Sequence, residues 1–247
     1  MMDRRLLLTG AAALTLSASL SGCGGNLLGP PDAGTLYPVR PEFAPAPAAS
    51  AKVAWSLAVL RPDVPGGLDS DRIALLQPDG SMDYYAKATY PDRLPAIVQR
   101  ALLAGFEASG RIDKVAREED ALQADYNLLV EVRDFQAVYA ARDGVPDIVV
   151  TLNAKLAASH GRRILAVTAV TQKADAGTNN TGAAVGALRQ ALGAAVTQVV
   201  NWTLETAPAT VPGASAGAAA ETASPGRNGE QLLHDVSRGP GGEAAPQ

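Results

Sequence analysis

Cysteine occurs once in these 247 residues, at Cys23, and histidine twice, at His160 and His234. A single thiol excludes an intramolecular disulfide framework and any thiolate-rich zinc or iron–sulfur site. Two imidazoles leave little material for acid–base catalysis or metal binding, so no metal is expected. Positive charge is also scarce. Lys and Arg number 21 against 25 Asp and Glu, a net charge of −4, and this excludes the basic footprint of a nucleic-acid binder. Aromatic residues make up 4% of the chain, and no Walker-type phosphate loop or HExxH motif is present. These absences point away from an enzyme.

What is present is concentrated at the two ends. Gly24–Lys52 carries six Pro and four Gly in 29 residues, and 22 of the 41 residues in Ala207–Gln247 are Ala, Gly or Pro. Such compositions bury too little apolar surface to offset their ordering entropy. Residues 53–206 remain as the folding unit, long enough for one good core. The expected organisation is a signal peptide at 1–22, a tether at 23–52, one domain at 53–206 and a disordered tail at 207–247. As a flexible coil the tether would span ~30 Å, and as extended polyproline II it could approach ~90 Å. On that view its reach matters more than its sequence.

Arg4 and Arg5 precede an uncharged, mostly apolar run from Leu6 to Leu20. Fifteen helical residues cover only ~22 Å, short of the ~30 Å hydrocarbon core. This is the profile of a secretory signal peptide rather than a membrane span. Leu20-Ser21-Gly22-Cys23 then resembles the bacterial lipobox. That resemblance implies cleavage before Cys23 and a diacylglyceryl and N-acyl lipid on it, with no other cofactor. Two or more acyl chains anchor stably where one does not. Gly24, in place of Asp, resembles the address for the outer rather than the inner membrane. No later segment reads as a transmembrane helix, the run near Ala183–Val200 being broken by Arg189, Gln190 and Gln198.

Within the body, Val53–Leu60 is a short β-rich run. Arg72–Gln77 and Met82–Ala88 flank the turn tripeptide Pro78-Asp79-Gly80 and predict a hairpin. Pro91 is placed to open a helix with Leu94, Ile97, Val98, Ala101, Leu102 and Phe106 on one face, stopped by Gly110. Val115 sits in a short strand before Glu118-Glu119-Asp120. Three alternating runs follow: Asp125–Tyr139, Asp147–Ala157 and Arg163–Gln172. The last has Ile164, Ala166, Thr168 and Val170 in phase. Short turns between them predict an antiparallel meander. Asn179-Asn180-Thr181 caps a final helix whose stripe is Val185, Leu188, Leu192, Ala195, Val196 and Val199. The order β-β-β-α-β-β-β-β-α predicts an α+β domain: a mixed, largely antiparallel sheet packed against two amphipathic helices.

The polar candidates read as ordinary surface. His160 lies in a turn beside Arg162 and Arg163, Asp69-Ser70-Asp71 lacks the Gly and Glu offsets of a calcium loop, and Glu118-Glu119-Asp120 is a solvated turn. The order of several modest motifs is more telling. Thr35-Leu36-Tyr37, Trp55-Ser56-Leu57-Ala58-Val59, Gly67–Ala74, Tyr84-Tyr85-Ala86, Arg93-Leu94-Pro95, Asn127–Phe135 and Asn201-Trp202 together resemble the ABC-type transport auxiliary lipoproteins, which include Pqi-type C components. Tyr90 stands where that family usually has Trp. The resemblance covers roughly 35–204. It implies a non-catalytic, outer-membrane lipoprotein facing the periplasm, which docks the MCE-domain protein of an ABC transport system for lipids or other hydrophobic molecules. The alternative is a periplasmic carrier lipoprotein that itself holds a lipid against the sheet.

Overall fold

Residues 34–43, 51–120, 123–160 and 163–210 are described by the structure, a computed structural model of the chain. The elements run β1 (Thr35–Leu36), β2 (Leu57–Val59), β3 (Arg72–Leu76), β4 (Met82–Thr89), α1 (Leu94–Ser109), β5 (Val115–Arg117), β6 (Tyr126–Val138), β7 (Asp147–Ala158), β8 (Arg163–Asp175) and α2 (Thr181–Thr206). This is the α+β fold expected, a curled mixed sheet with two helices. A separate C-terminal unit, Pro212–Gln247, lies outside the described residues.

The strand β6 is the spine of the sheet. On one side it pairs antiparallel with β7 from end to end, and β7 pairs antiparallel with β8, which is the meander its alternation predicts. On its other side, two short strands lie end to end and parallel to it: β2 against Tyr126–Leu128 and β3 against Ala137–Val138. One straight strand would present a single phase to the core along its length. A bulge between Val132 and Asp134 inserts Arg133 and changes that phase. Leu128, Val130 and Val132 are buried before it, and Phe135 and Ala137 after it.

On β7 the inward residues Ile148, Val150, Leu152, Ala154 and Leu156 are all fully buried. The helix α2 packs on β7 and β8, while α1 packs on α2 and toward β2 and β5. The side chain of Asn180 accepts from the Ala183 N–H at 2.9 Å, as the capping residues predict. By length and a mean hydropathy of 1.2, α2 could cross a membrane. Its predicted stripe is instead buried within the domain, so it serves as the core helix.

Several expectations change. The helix α1 starts at Leu94 with Pro95 in its first turn, so Pro91 lies in the connection before it. Either proline suits a helix start. A tertiary bond decides the matter, because the Leu94 N–H donates to the Ser70 carbonyl at 3.1 Å. Gly110 does end the helix, at φ 59°. In β8 a second bulge pairs Leu156 with Ala166 but Ala157 with Ile164, which takes Ile164 out of phase and leaves it 54% exposed. The strand expected over Val53–Leu60 contracts to three residues, with Val53 held by one bridge to Ile112.

The largest correction concerns the ends of the domain. Within the segment expected to be tether, Gly34–Phe43 is part of the folded body. Thr35 and Leu36 pair parallel with Ala88 and Thr89 of β4, and Val39 is buried. Composition misleads here because the packing comes from three isolated side chains, Tyr37, Val39 and Phe43, between prolines that already fix the backbone. At the other end, the Tyr126 hydroxyl donates to the Pro208 carbonyl at 2.8 Å, so the domain continues past 206. The predicted tail from residue 211 onward, with His234, lies outside the described residues.

Candidate functional site

The N-terminal segment forms a strap across the helix pair. It leaves β1 with the Tyr37 N–H on the Thr89 carbonyl at 2.8 Å, then crosses both helices at positions without side chains. A Cβ on Gly193 of α2 would lie 3.1 Å from the Glu42 carbonyl oxygen and 3.3 Å from Pro41 Cβ. A Cβ on Gly105 of α1 would lie 3.5 Å from the Phe43 ring and 2.5 Å from Val196 Cγ1. These glycines therefore set how closely the strap and the helices approach.

The clash at Gly105 gives a direct test. Ala is the better helix former by about 1 kcal/mol, but overpacking a core typically costs about 1–3 kcal/mol. Val196 is fully buried and has no space to yield. Gly105→Ala is expected to lower stability by about 1–2 kcal/mol, read as a midpoint fall of roughly 2–8 °C in thermal unfolding. A rise in midpoint would mean that the helices separate at no cost.

Between the strap and α1 runs a groove of about 400 Å³, floored by Val39, Ile97 and Ala101 and walled by Pro38, Pro41 and Pro91. Arg40 and Arg100 stand at its rim, and Arg100 is held by Asp92 at 2.6 Å. Both partners of that pair are about half exposed, so it orients the guanidinium more than it stabilises the fold. An apolar floor with a basic rim suits contact with an apolar or amphipathic group. It offers no nucleophile.

A second cleft, of about 480 Å³, opens beside β5. In it the Asp125 carboxylate accepts from the Ser56 N–H at 2.7 Å and from the Ser56 hydroxyl at 2.8 Å, while the Asp125 N–H donates to Ser56 Oγ at 3.0 Å. This reciprocal clasp locks the start of β6 to the residue before β2. A serine that donates to a carboxylate, with no imidazole among the lining residues, is not an activated nucleophile.

The tyrosines form a third polar group. Tyr85 and Tyr139 hydroxyls meet at 2.9 Å, and Tyr139 donates to Asn179 Oδ1 at 2.9 Å. Burial pushes the Tyr85 and Tyr90 phenols well above their ordinary range, so both stay neutral at physiological pH. The Tyr90 ring packs edge-on to Phe135 in the core.

The other polar candidates are likewise accounted for. Arg93 Nε donates to Asp69 Oδ1 at 3.0 Å, a second Arg93 nitrogen reaches the Asp69 carbonyl, and the carboxylate raises the Arg93 pKa further above its ordinary value. Asp71 gives its carbonyl to the Tyr90 N–H. The Asp69-Ser70-Asp71 loop thus fixes the start of α1. No group of three metal-ligating side chains occurs among the described residues. His160 is an exposed residue just after β7, and Glu118-Glu119-Asp120 is an exposed turn after β5. Leu20, Ser21, Gly22 and Cys23 lie outside the described residues. The strap and its groove escaped the sequence reading, although Thr35-Leu36-Tyr37 carried their one signal.

The geometry is that of an α+β domain, its helices strapped by its own N-terminal segment. The chain belongs to the ABC-type transport auxiliary lipoprotein component family, whose profile matches residues 36–200. That match begins on the strap and runs through most of α2. Its family is therefore one of lipoproteins that accompany ABC transporters as an auxiliary component. The crystal structure of a Xanthomonas campestris protein is similar at 32% identity and a TM-score of 0.65, covering 70% of this chain and 96% of that one. A second crystal structure, of an uncharacterized protein, shares the fold at 15% identity and a TM-score of 0.52, over 68% of this chain and 98% of the other. An uncharacterized protein of Bradyrhizobium diazoefficiens is 28% identical over 150 residues, which are 60% of this chain. The match covers only 39% of that relative's length.

Proposed function

We propose that this chain is an outer-membrane lipoprotein, anchored through lipid on Cys23 and facing the periplasm. It acts there as the non-catalytic auxiliary component of an ABC system that moves lipids or other hydrophobic molecules, and it docks that system's MCE-domain protein. The family match along the folded body carries this reading. The lipobox-like Leu20-Ser21-Gly22-Cys23 supports the anchor, and Gly24 supports the outer-membrane address. The apolar groove under the strap, with Arg40 and Arg100 at its rim, supports contact with an amphipathic partner.

Two measurements test the proposal. Cys23→Ser is expected to abolish labelling by radioactive palmitate, because an alcohol does not form the thioether. Persistent labelling would end the lipoprotein assignment for Cys23. Separately, the affinity-tagged chain purified from membranes is expected to retain an MCE-domain protein without a stoichiometric lipid. Lipid at one equivalent beyond the anchor, with no such protein retained, would favour the carrier instead.

A further inference from the structure

Gly34, the first described residue, sits against the backbone of β4, where a Cβ on it would lie 3.4 Å from the Lys87 carbonyl. Only ten residues, 24–33, separate Gly34 from Cys23. Eleven chain steps reach at most ~40 Å, roughly the width of a domain of this size. The longer tether expected from composition would have allowed ~90 Å. With Gly34–Phe43 folded into the body, lipid on Cys23 holds β1 within about one domain's width of the bilayer.

The register of β1, β4 and β3 builds a mixed surface at that point. Leu36 and Arg72 both pair with Thr89, one from each side, so the three form one row on one face. The Arg72 guanidinium stacks 3.8 Å above the Tyr84 ring. Met82 lies two residues from Tyr84, on the same face of β4. Both side chains rest on the loop at Gly67. The Tyr84 hydroxyl donates to the Gly67 carbonyl at 2.8 Å, and a Cβ on Gly67 would lie 3.0 Å from Met82 Sδ. Leu36 is 62% exposed and Met82 44%, and Arg72 is exposed beside them. Asp83 alternates to the other face. Aliphatic side chains, a tyrosine and an arginine on one face suit a bilayer interface: the aliphatic groups meet the acyl boundary, the ring lies at headgroup level, and the guanidinium meets phosphate.

We propose that the face formed by Leu36, Arg72, Met82 and Tyr84 rests on the membrane leaflet that carries the Cys23 lipid. This rests on the anchor assigned to Cys23 under the proposed function. So small a patch binds a bilayer weakly by itself. A short linker, however, turns the contact into an intramolecular one with a millimolar effective concentration, so a weak contact suffices. The consequence is orientation. The domain lies with β1 and β4 toward the bilayer, and the groove under the strap, whose wall residue Pro38 is two positions from Leu36, is presented beside the lipid headgroups.

Lipid on Cys23 caps the chain's one native thiol, so an introduced cysteine takes a dye alone. The full-length lipidated chain, carrying an environment-sensitive dye at Met82→Cys, is reconstituted into vesicles of phosphatidylethanolamine and phosphatidylglycerol. Lipids bearing a nitroxide at the top of the acyl chain are expected to quench that dye by about half or more. The same dye at Val167→Cys, a comparably exposed apolar position on β8, is expected to be quenched at least threefold less. Adding Leu36→Asp to the Met82→Cys chain is expected to cut the quenching at least threefold, with circular dichroism unchanged because Leu36 lies outside the core. Equal quenching at 82 and 167 overturns the proposal, as does quenching that ignores Leu36→Asp. A dye shifted to the blue that no nitroxide reaches reports burial against protein, a second copy included, and overturns it as well. Flotation separates this face from the anchor. A chain that floats with the vesicles but is not quenched at 82 refutes the membrane face alone, whereas a chain that does not float refutes the anchor and the face together.

Discussion

Replacing Pro38–Phe43 with a Gly/Ser segment of equal length is expected to lower the thermal midpoint of the domain by roughly 10 °C. Burial of a Val-sized side chain contributes about 1.5–3 kcal/mol. Val39 is such a residue, and the partly buried Phe43 adds to it. Together they imply a loss of about 3–5 kcal/mol, with roughly 2–4 °C per kcal/mol for a chain of this size. A plain tether would tolerate the exchange, because only its reach would matter. The strap does not, because its side chains close the groove over Ile97 and Ala101. Gly193→Val is expected to act in the same direction but more weakly, by pressing on Glu42 and Pro41 without removing Val39. An unchanged midpoint in the Gly/Ser variant would show that the strap contributes nothing in solution.

Trp55→Ala is expected to cost about 3–5 kcal/mol, a midpoint fall of roughly 6–20 °C. Trp55 is 4% exposed and meets the Tyr126 ring edge-on, with centroids 5.3 Å apart at 84°. Tyr126 is itself fully buried and ties the chain after α2 to the sheet through Pro208. Removing the indole therefore opens a cavity where β2, β6 and the C-terminal end of the domain meet. Trp55→Phe refills much of that volume and is expected to recover more than half of the loss. The contrast has a functional use, since Trp55 begins one of the family-like motifs and could be mistaken for a partner contact. A variant that unfolds normally but no longer retains an MCE-domain protein would make it one.

Much of the architecture was legible because its signals are local. The Pro78-Asp79-Gly80 turn, the Asn180 cap, the αL stop at Gly110 and the period-two runs of β6 and β7 each depend on a few neighbouring residues. Alternation failed where a bulge intervened. Ile164 has the correct parity for the core but lies beyond the extra residue Leu165, so it faces away. On β6 the change of phase is written as a break from Leu128, Val130 and Val132 to Phe135 and Ala137, yet nothing near Arg133 marks it as the inserted residue. The candidate site was legible in part. Thr35-Leu36-Tyr37, where the strap begins, is one of the family-like motifs, but the rest of the strap reads as spacer, because Pro and Gly dominate its composition.

The amino-acid sequence by itself determined the α+β class, the two helices and their apolar faces, the antiparallel meander and the scarcity of catalytic side chains. Each of these follows from periodicity, turn chemistry or composition, which act over a few residues. Only the tertiary structure decided which short strands run parallel to β6, where the two bulges fall, that Leu94 rather than Pro91 begins α1, and that Gly34–Phe43 belongs to the body. Those outcomes rest on partners far away in the chain: Thr89 for Tyr37, Ser70 for Leu94 and Gly193 for Pro41. A residue's own neighbours carry no record of such partners. Three apolar side chains among prolines look like a spacer until two glycine-notched helices are brought beneath them.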